Sequence, residues 1–150
     1  MGSVTVRSVA VPHDAREPCQ YRLAAGGREL GILTDLGSIT PHVVAAYRGC
    51  QGLVLEFNHD SAMLAAGEYP PALKRRVGGE WGHLNNRQAS DLLVALDSPA
   101  LRHLVIAHMS EKNNSPAAVR ELLAAEHLAW LERAHWACQR EGFGWIPLDD

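Results

Sequence analysis

Three short apolar runs limit what this chain can fold into, because each leads directly into residues that a protein core cannot solvate. "GILT" leads to Asp35, "GLVLEF" to Asn58, His59 and Asp60, and "LVIA" to His108. Runs this short and continuous suit strands covered on both faces, as in a parallel sheet flanked by helices. A His–Asp pair within such a strand would be costly to bury. Just past the strand's end it reaches solvent, metal or substrate. In open α/β sheets the carboxyl ends of parallel strands share one edge, and ligands bind there. The pattern therefore predicts that Asp35, His59, Asp60 and His108 meet at one rim. His83 joins them from "GGEWGHLNN", a glycine-rich turn that opens a helix and offers free N–H groups to an anion.

Singly, each of these residues has a structural explanation. Asp35 can close a turn, Asp60 can cap a helix, His108 can be a satisfied structural histidine, and His83 can be a loop residue. Taken together they suggest a metal site, since carboxylate oxygen and imidazole nitrogen are good ligands for Zn²⁺ and similar ions. His42, His103, His127 and His135 fall inside predicted elements and are given no role.

The remaining segments supply the frame. "VTVRSVAVP" pairs Val4 with Val6 and Val9 with Val11 at period two, a strand with one irregularity. "CQYRLAA", a turn at Gly26 and Gly27, and "RELGILT" form a hairpin. Thr40 and Pro41 start a helix that ends at Gly49. "SAMLAAGEYPPALKRRVGG" gives two short helices broken at Pro70 and Pro71. Asn85 or Asn86 caps the helix in "NNRQASDLLVAL", and Ser115 caps one over "SPAAVRELLAAEHLAW". "LRHLVIA" is a further buried strand. The tail, "RAHWACQREGFGWIPL", admits a hairpin or a helix. Strands first, then alternating helices and strands, predict one layered α/β unit.

The totals narrow the function classes. A length of 150 residues suits a single domain. A formal net charge of -3 gives no bulk case for nucleic-acid binding, but it leaves room for a local basic patch. "LKRR", Leu73 to Arg76, is such a patch; its alternative is a solvated helix face. The apolar runs are too short to span a bilayer, and the first residues lack the basic and apolar regions of a signal peptide. Cys19, Cys50 and Cys138 form no CxxC pair, which disfavours a zinc knuckle or a disulfide framework and fits a reduced, cytoplasmic protein.

"HDAREPCQYRL", "GILTDLG", "LVLEFNHDSAMLAAGEYPPALKRRV", "GHLNNRQASDLL" and "VIAHMSEKNN" follow one another in this order. Together they resemble the metallo-β-lactamase-fold hydrolases, and within them the YycJ/WalJ-like group, which is similar to phosphodiesterases and exonucleases related to RNase Z. The resemblance implies the carboxyl-terminal half of an αββα sandwich. The family's HxHxDH signature, which supplies most ligands of the first metal, is absent from the 150 residues.

The resemblance also implies roles. Asp35 of "TDLG" would bridge two metal ions, and His108 of "AHMS" would be a terminal ligand of the second. His83 of "GHLNNRQA" would contact the scissile phosphate and protonate the leaving oxygen, with Asn85 in place of the usual serine. Asp60 of "NHD" would orient His83, with His59 beside it. His13 and Asp14 of "PHDA" would lie near the site, while Lys74, Arg75 and Asn85 would contact substrate. The intact enzyme would be a phosphodiesterase or nuclease acting on DNA, RNA or a small phosphodiester. It would carry divalent metal, two Zn²⁺ with Mn²⁺ as the alternative. The chain itself would be incomplete, self-associating or completed by an amino-terminal half. The alternative is a non-catalytic module of the same fold. "GHLNNRQA" argues against a thioester, lactone or lactam hydrolase.

Overall fold

A computed structural model describes residues 2–148. One six-stranded sheet runs in chain order: β1 (Thr5–Ala10), β2 (Cys19–Ala25), β3 (Arg28–Leu33), β4 (Gly52–Glu56), β5 (His103–Ala107) and β6 (His135–Trp136). The first three strands pair antiparallel; β3 through β6 pair parallel. The helices are α1 (Pro41–Tyr47), α2 (Ser61–Ala66), α3 (Pro71–Val77), α4 (Asn86–Leu96), α5 (Pro116–Glu126) and α6 (Leu128–Arg133). This is the layered α/β order that the sequence predicts. Among the described residues, no helix is long and apolar enough to cross a membrane.

Strand alternation builds the core. Leu33, Leu53, Leu55, Leu104 and Ile106 form a buried cluster with Val43 and Tyr47 of α1, Leu92 and Leu96 of α4, and Val119 and Leu123 of α5. Burying one such side chain contributes about 1.5–3 kcal/mol. The register places Tyr21, Ile32, Val54 and Val105 side by side on the opposite face. That face is only partly covered: Val54 is half-buried and Tyr21 is exposed. The expectation that β4 is covered on both faces therefore falls short only at Val54; Gly52, Leu53, Leu55 and Glu56 are buried.

The irregularity expected in β1 is present without a bulge, since Thr5 through Ala10 pair residue for residue with β2. The break in its valine pattern is a change of face: Val9 and Val11 enter the core, whereas Val4 and Val6 stay exposed. The helix expected from Ser115 to Trp130 splits at His127, whose φ is -140°. There the His127 ring meets the Ser90 hydroxyl of α4 at 2.9 Å, a contact that a straight helix was not expected to need. In the tail, β6 adds to β5 and one bridge joins Cys138 to Gly142, so that region is neither a regular hairpin nor a helix. Asn85, rather than Asn86, caps α4, with a capping box to Gln88.

Candidate functional site

The parallel register of β3, β4 and β5 brings their carboxyl ends to one edge. Two successive antiparallel pairings make β1 end at the same edge. Asp35 follows β3, Glu56 ends β4, His108 follows β5, and His13 lies in the connection after β1. His83 enters from the turn between α3 and α4. Asp35 and His108 have φ of 51° and 53°. Left-handed backbone at non-glycine residues costs on the order of 1–3 kcal/mol each, and such strain clusters at functional sites.

Glu56 organises the cleft from below and is fully buried. Its Oε1 accepts from Leu36 N at 2.8 Å and Leu84 N at 3.2 Å. Its Oε2 accepts from His83 Nδ1 and from His108 Nδ1, each at 3.1 Å. Burial opposes ionisation, yet the bonds from His108, His83 and Leu36 hold its pKa below the usual carboxylate value. The same hydrogen bond from His108 to Glu56 raises the pKa of His108, against the pull of burial.

An ionised carboxylate only accepts, so both Nδ1 atoms carry protons and both Nε2 atoms are left free. His13 is held the same way: its Nδ1 donates to Gly82 O at 2.8 Å. Asp35 Oδ1 lies 3.7 Å from His13 Nε2 and 3.8 Å from His108 Nε2, so its carboxylate stands between them. The rings of His13, His83 and His108 form a row, with His83 in the middle at centroid separations of 5.1 and 5.2 Å. The His13–Asp35–His83 and Glu56–His83–His108 groups each bring donor atoms close enough to hold a metal ion. In the second group Glu56 is already occupied by four donors. Such a carboxylate orients a ligand histidine and is not itself needed as a ligand. The row opens into a cleft of about 490 Å³ lined by Asp35, Asn58, His83, His108, Ser110 and Lys112, among others.

No family model matches the chain. It is 34% identical over 119 residues to exodeoxyribonuclease YycJ of Bacillus anthracis, covering 79% of this chain and 45% of that protein. It is 28% identical over 113 residues to exodeoxyribonuclease WalJ of Streptococcus pneumoniae serotype 2, covering 75% of this chain and 42% of that one. The metallo-β-lactamase fold protein YhfI of Bacillus subtilis superposes with a TM-score of 0.64 at 14% identity, covering 97% of this chain and 52% of YhfI. The chain has the metallo-β-lactamase fold and is similar over most of its length to the YycJ and WalJ exodeoxyribonucleases. It spans about half the length of the curated relatives it matches.

Not every residue singled out in this YycJ/WalJ-like sequence reaches the cleft. Asp35, His83 and His108 meet there, together with His13. Asp14 flanks them, 3.6 Å from His13 Nε2 and ion-paired with Arg76. Asp60 does not hold His83: its Oδ1 caps α2 by accepting from Met63 N at 2.9 Å. The orienting contact expected of Asp60 is made by Glu56. His59 is buried beside α3 and, with Lys74, Arg75 and Asn85, lines a separate groove rather than the cleft. Glu56 was the residue to find in the sequence. It is the only acid within an otherwise apolar strand, and a buried carboxylate must be paired or hydrogen-bonded.

Proposed function

We propose that this chain carries one half of the active site of a metal-dependent phosphodiesterase that cleaves DNA. The observation that carries the reading is the double hydrogen bond to Glu56, which fixes the rings of His83 and His108 at the cleft, with His108 Nε2 and His83 Nδ1 each 3.8 Å from Asp35 Oδ1. Similarity to proteins named as exodeoxyribonucleases supports DNA as the substrate.

The donor set fits a divalent ion, Zn²⁺ or Mn²⁺, since neutral imidazole nitrogen and carboxylate oxygen suit both. Asp35 would hold it together with His13 Nε2 on one side or His108 Nε2 on the other. Bound there, the metal supplies Lewis acidity toward the phosphoryl group and a nucleophile at neutral pH. The chain's own residues do the rest. His83 presents Nε2 to the leaving oxygen and carries the proton it needs, while Glu56 stabilises the charged ring that donates it. Glu56 also keeps His108 in the tautomer that ligates. The remaining ligands are assigned to an HxHxDH-bearing half outside these 150 residues, a family signature the sequence does not contain.

Metal titration by calorimetry, paired with an oligodeoxynucleotide cleavage assay on the chain joined to that half, tests the division of roles. Asp35→Ala, His13→Ala and His108→Ala should each weaken metal binding by about ten-fold or more, in the range of ligand-shell changes. His83→Ala should keep the metal and lose about 10²–10⁴ in turnover. Equal loss of metal in His83→Ala would contradict the assignment.

A further inference from the structure

A second site lies on the other side of α3. A groove of about 490 Å³ runs between α2, α3 and the amino end of α4, and His59, Ser61, Lys74, Arg75, Gly78 and Asn85 are among its walls. Among the described residues, no carboxylate lines it. The last turn of α3 carries Lys74, Arg75 and Arg76. Arg76 is turned to Asp14, on the cleft side. Lys74 donates to Ala65 O at 2.5 Å, which anchors its ammonium at the groove wall. Arg75 is exposed and makes no hydrogen bond or ion pair among the described residues. Two cations thus sit together on a chain whose formal charge is -3.

His59 supplies an independent sign. It is 2% exposed, and its Nδ1 has no hydrogen-bond partner. Burial depresses its pKa, so the ring is neutral and one buried nitrogen is left unsatisfied. Buried polar groups without partners are rare, and in native proteins they point to a missing ligand or water. Asn85 adds a further polar group: its oxygen caps α4, which leaves its amide N–H₂ as a donor. Neutral imidazole, amide, ammonium and guanidinium around a groove free of carboxylates match a phosphate group. Both sites rest on the same supports. Val77 of α3 lines the cleft while Lys74 and Arg75 line the groove, and β4 ends in Glu56 three residues before His59.

We infer that this groove binds a second phosphate of the nucleic-acid strand, and so holds the strand while another phosphate occupies the cleft. The identity of the strand rests on the phosphodiesterase reading; the phosphate chemistry of the groove does not.

The test is binding without catalysis. Fluorescence anisotropy with the full chain in EDTA, across a salt series, compares 5′-phosphorylated and 5′-hydroxyl single-stranded oligodeoxynucleotides. Arg75→Gln and Lys74→Gln should each weaken binding and lower the salt slope by about 0.7, as loss of one phosphate contact on a single strand does. Arg75 is exposed, so thermal melting of Arg75→Gln should not change, which separates its loss of binding from any loss of the Lys74–Ala65 contact. Titration with inorganic phosphate should shift the His59 ring resonances in the native chain but not in Arg75→Gln. Loss confined to the 5′-phosphorylated strand identifies a terminal phosphate; equal loss on both identifies an internal phosphodiester. No measurable binding, or unchanged affinity and slope in both variants, overturns the inference. Groove-dependent binding with no metal-dependent cleavage in the completed protein would leave it standing and remove the phosphodiesterase reading.

Discussion

Glu56 shows how one side chain can set the chemistry of several others. Four donors converge on its two oxygens, two from backbone amides and two from imidazoles. Removing it strands the two buried amides and releases the two partly exposed imidazoles. Glu56→Ala should therefore cost about 1–3 kcal/mol of folding stability for each buried amide left without an acceptor. Glu56→Gln is the sharper experiment. An amide keeps the shape but turns one acceptor into a donor. Either the backbone amides of Leu36 and Leu84 or the two imidazoles must then face an N–H₂ group. The Nδ1 protons of His83 and His108, observable by NMR in the native chain, should shift or vanish while the fold persists. Unchanged ring resonances in a folded Glu56→Gln variant would show that Glu56 does not fix the tautomers. Much of this site was legible in the sequence. Asp35 and His108 follow apolar strands, and His83 sits in a glycine-rich turn. Glu56 was hidden because strand periodicity absorbs it, and Asp60 was given its role by the resemblance of "NHD" to the family segment whose acid orients that histidine. The cap it makes for α2 is the ordinary fate of such an aspartate.

At the scale of elements, the turn between α3 and α4 decides whether three histidines can meet. It delivers His83, and its Gly82 carbonyl accepts from His13. Gly82 has almost no room. A Cβ there would lie 2.2 Å from the carbonyl oxygens of both Arg76 and Val77, well inside contact distance. Those oxygens belong to the backbone at the end of α3, so they cannot swing aside as a side chain would. Gly82→Ala must displace the turn, at about 1–3 kcal/mol for overpacking, and should uncouple His13 from the row. Denaturant melts would report the first effect, and loss of the His13 Nδ1–H resonance the second. An alanine variant with wild-type stability and an intact His13 signal would show that the turn is slack. The sequence marks this turn as glycine-rich, but it cannot say which glycine touches another backbone. Cap signals were legible because they are local: Thr40, Asn85 and Ser115 each precede their helix and accept from its first turn. The break at His127 was not, because it depends on Ser90, far away in sequence.

For the whole molecule, the open question is the second face of the sheet. Helices gather over Leu53, Leu55, Leu104 and Ile106. The other face turns Val6, Tyr21, Leu23, Leu30, Ile32 and Val54 outward, as the strand registers require. Leu148 packs at Gly52 and covers part of it. Val6 remains 58% exposed and Tyr21 43%. Layered α/β order was readable from the alternation of elements. The uncovered face was expected from the resemblance, which implies a missing half, and not from periodicity, because period-two runs of mixed residues look alike whichever side the helices take. Contiguous apolar patches beyond a few hundred Å² are uncommon on soluble monomers and usually mark an interface. The chain should therefore self-associate in solution through this face, with a sedimentation coefficient that rises with concentration. Val6→Lys and Tyr21→Lys place charges on the exposed antiparallel part of the sheet, away from the helix-covered core. Together they should shift the population toward monomer without lowering the melting temperature, because neither side chain leaves a buried position. A native chain that sediments as one monomeric species at every concentration would show that this face needs no partner.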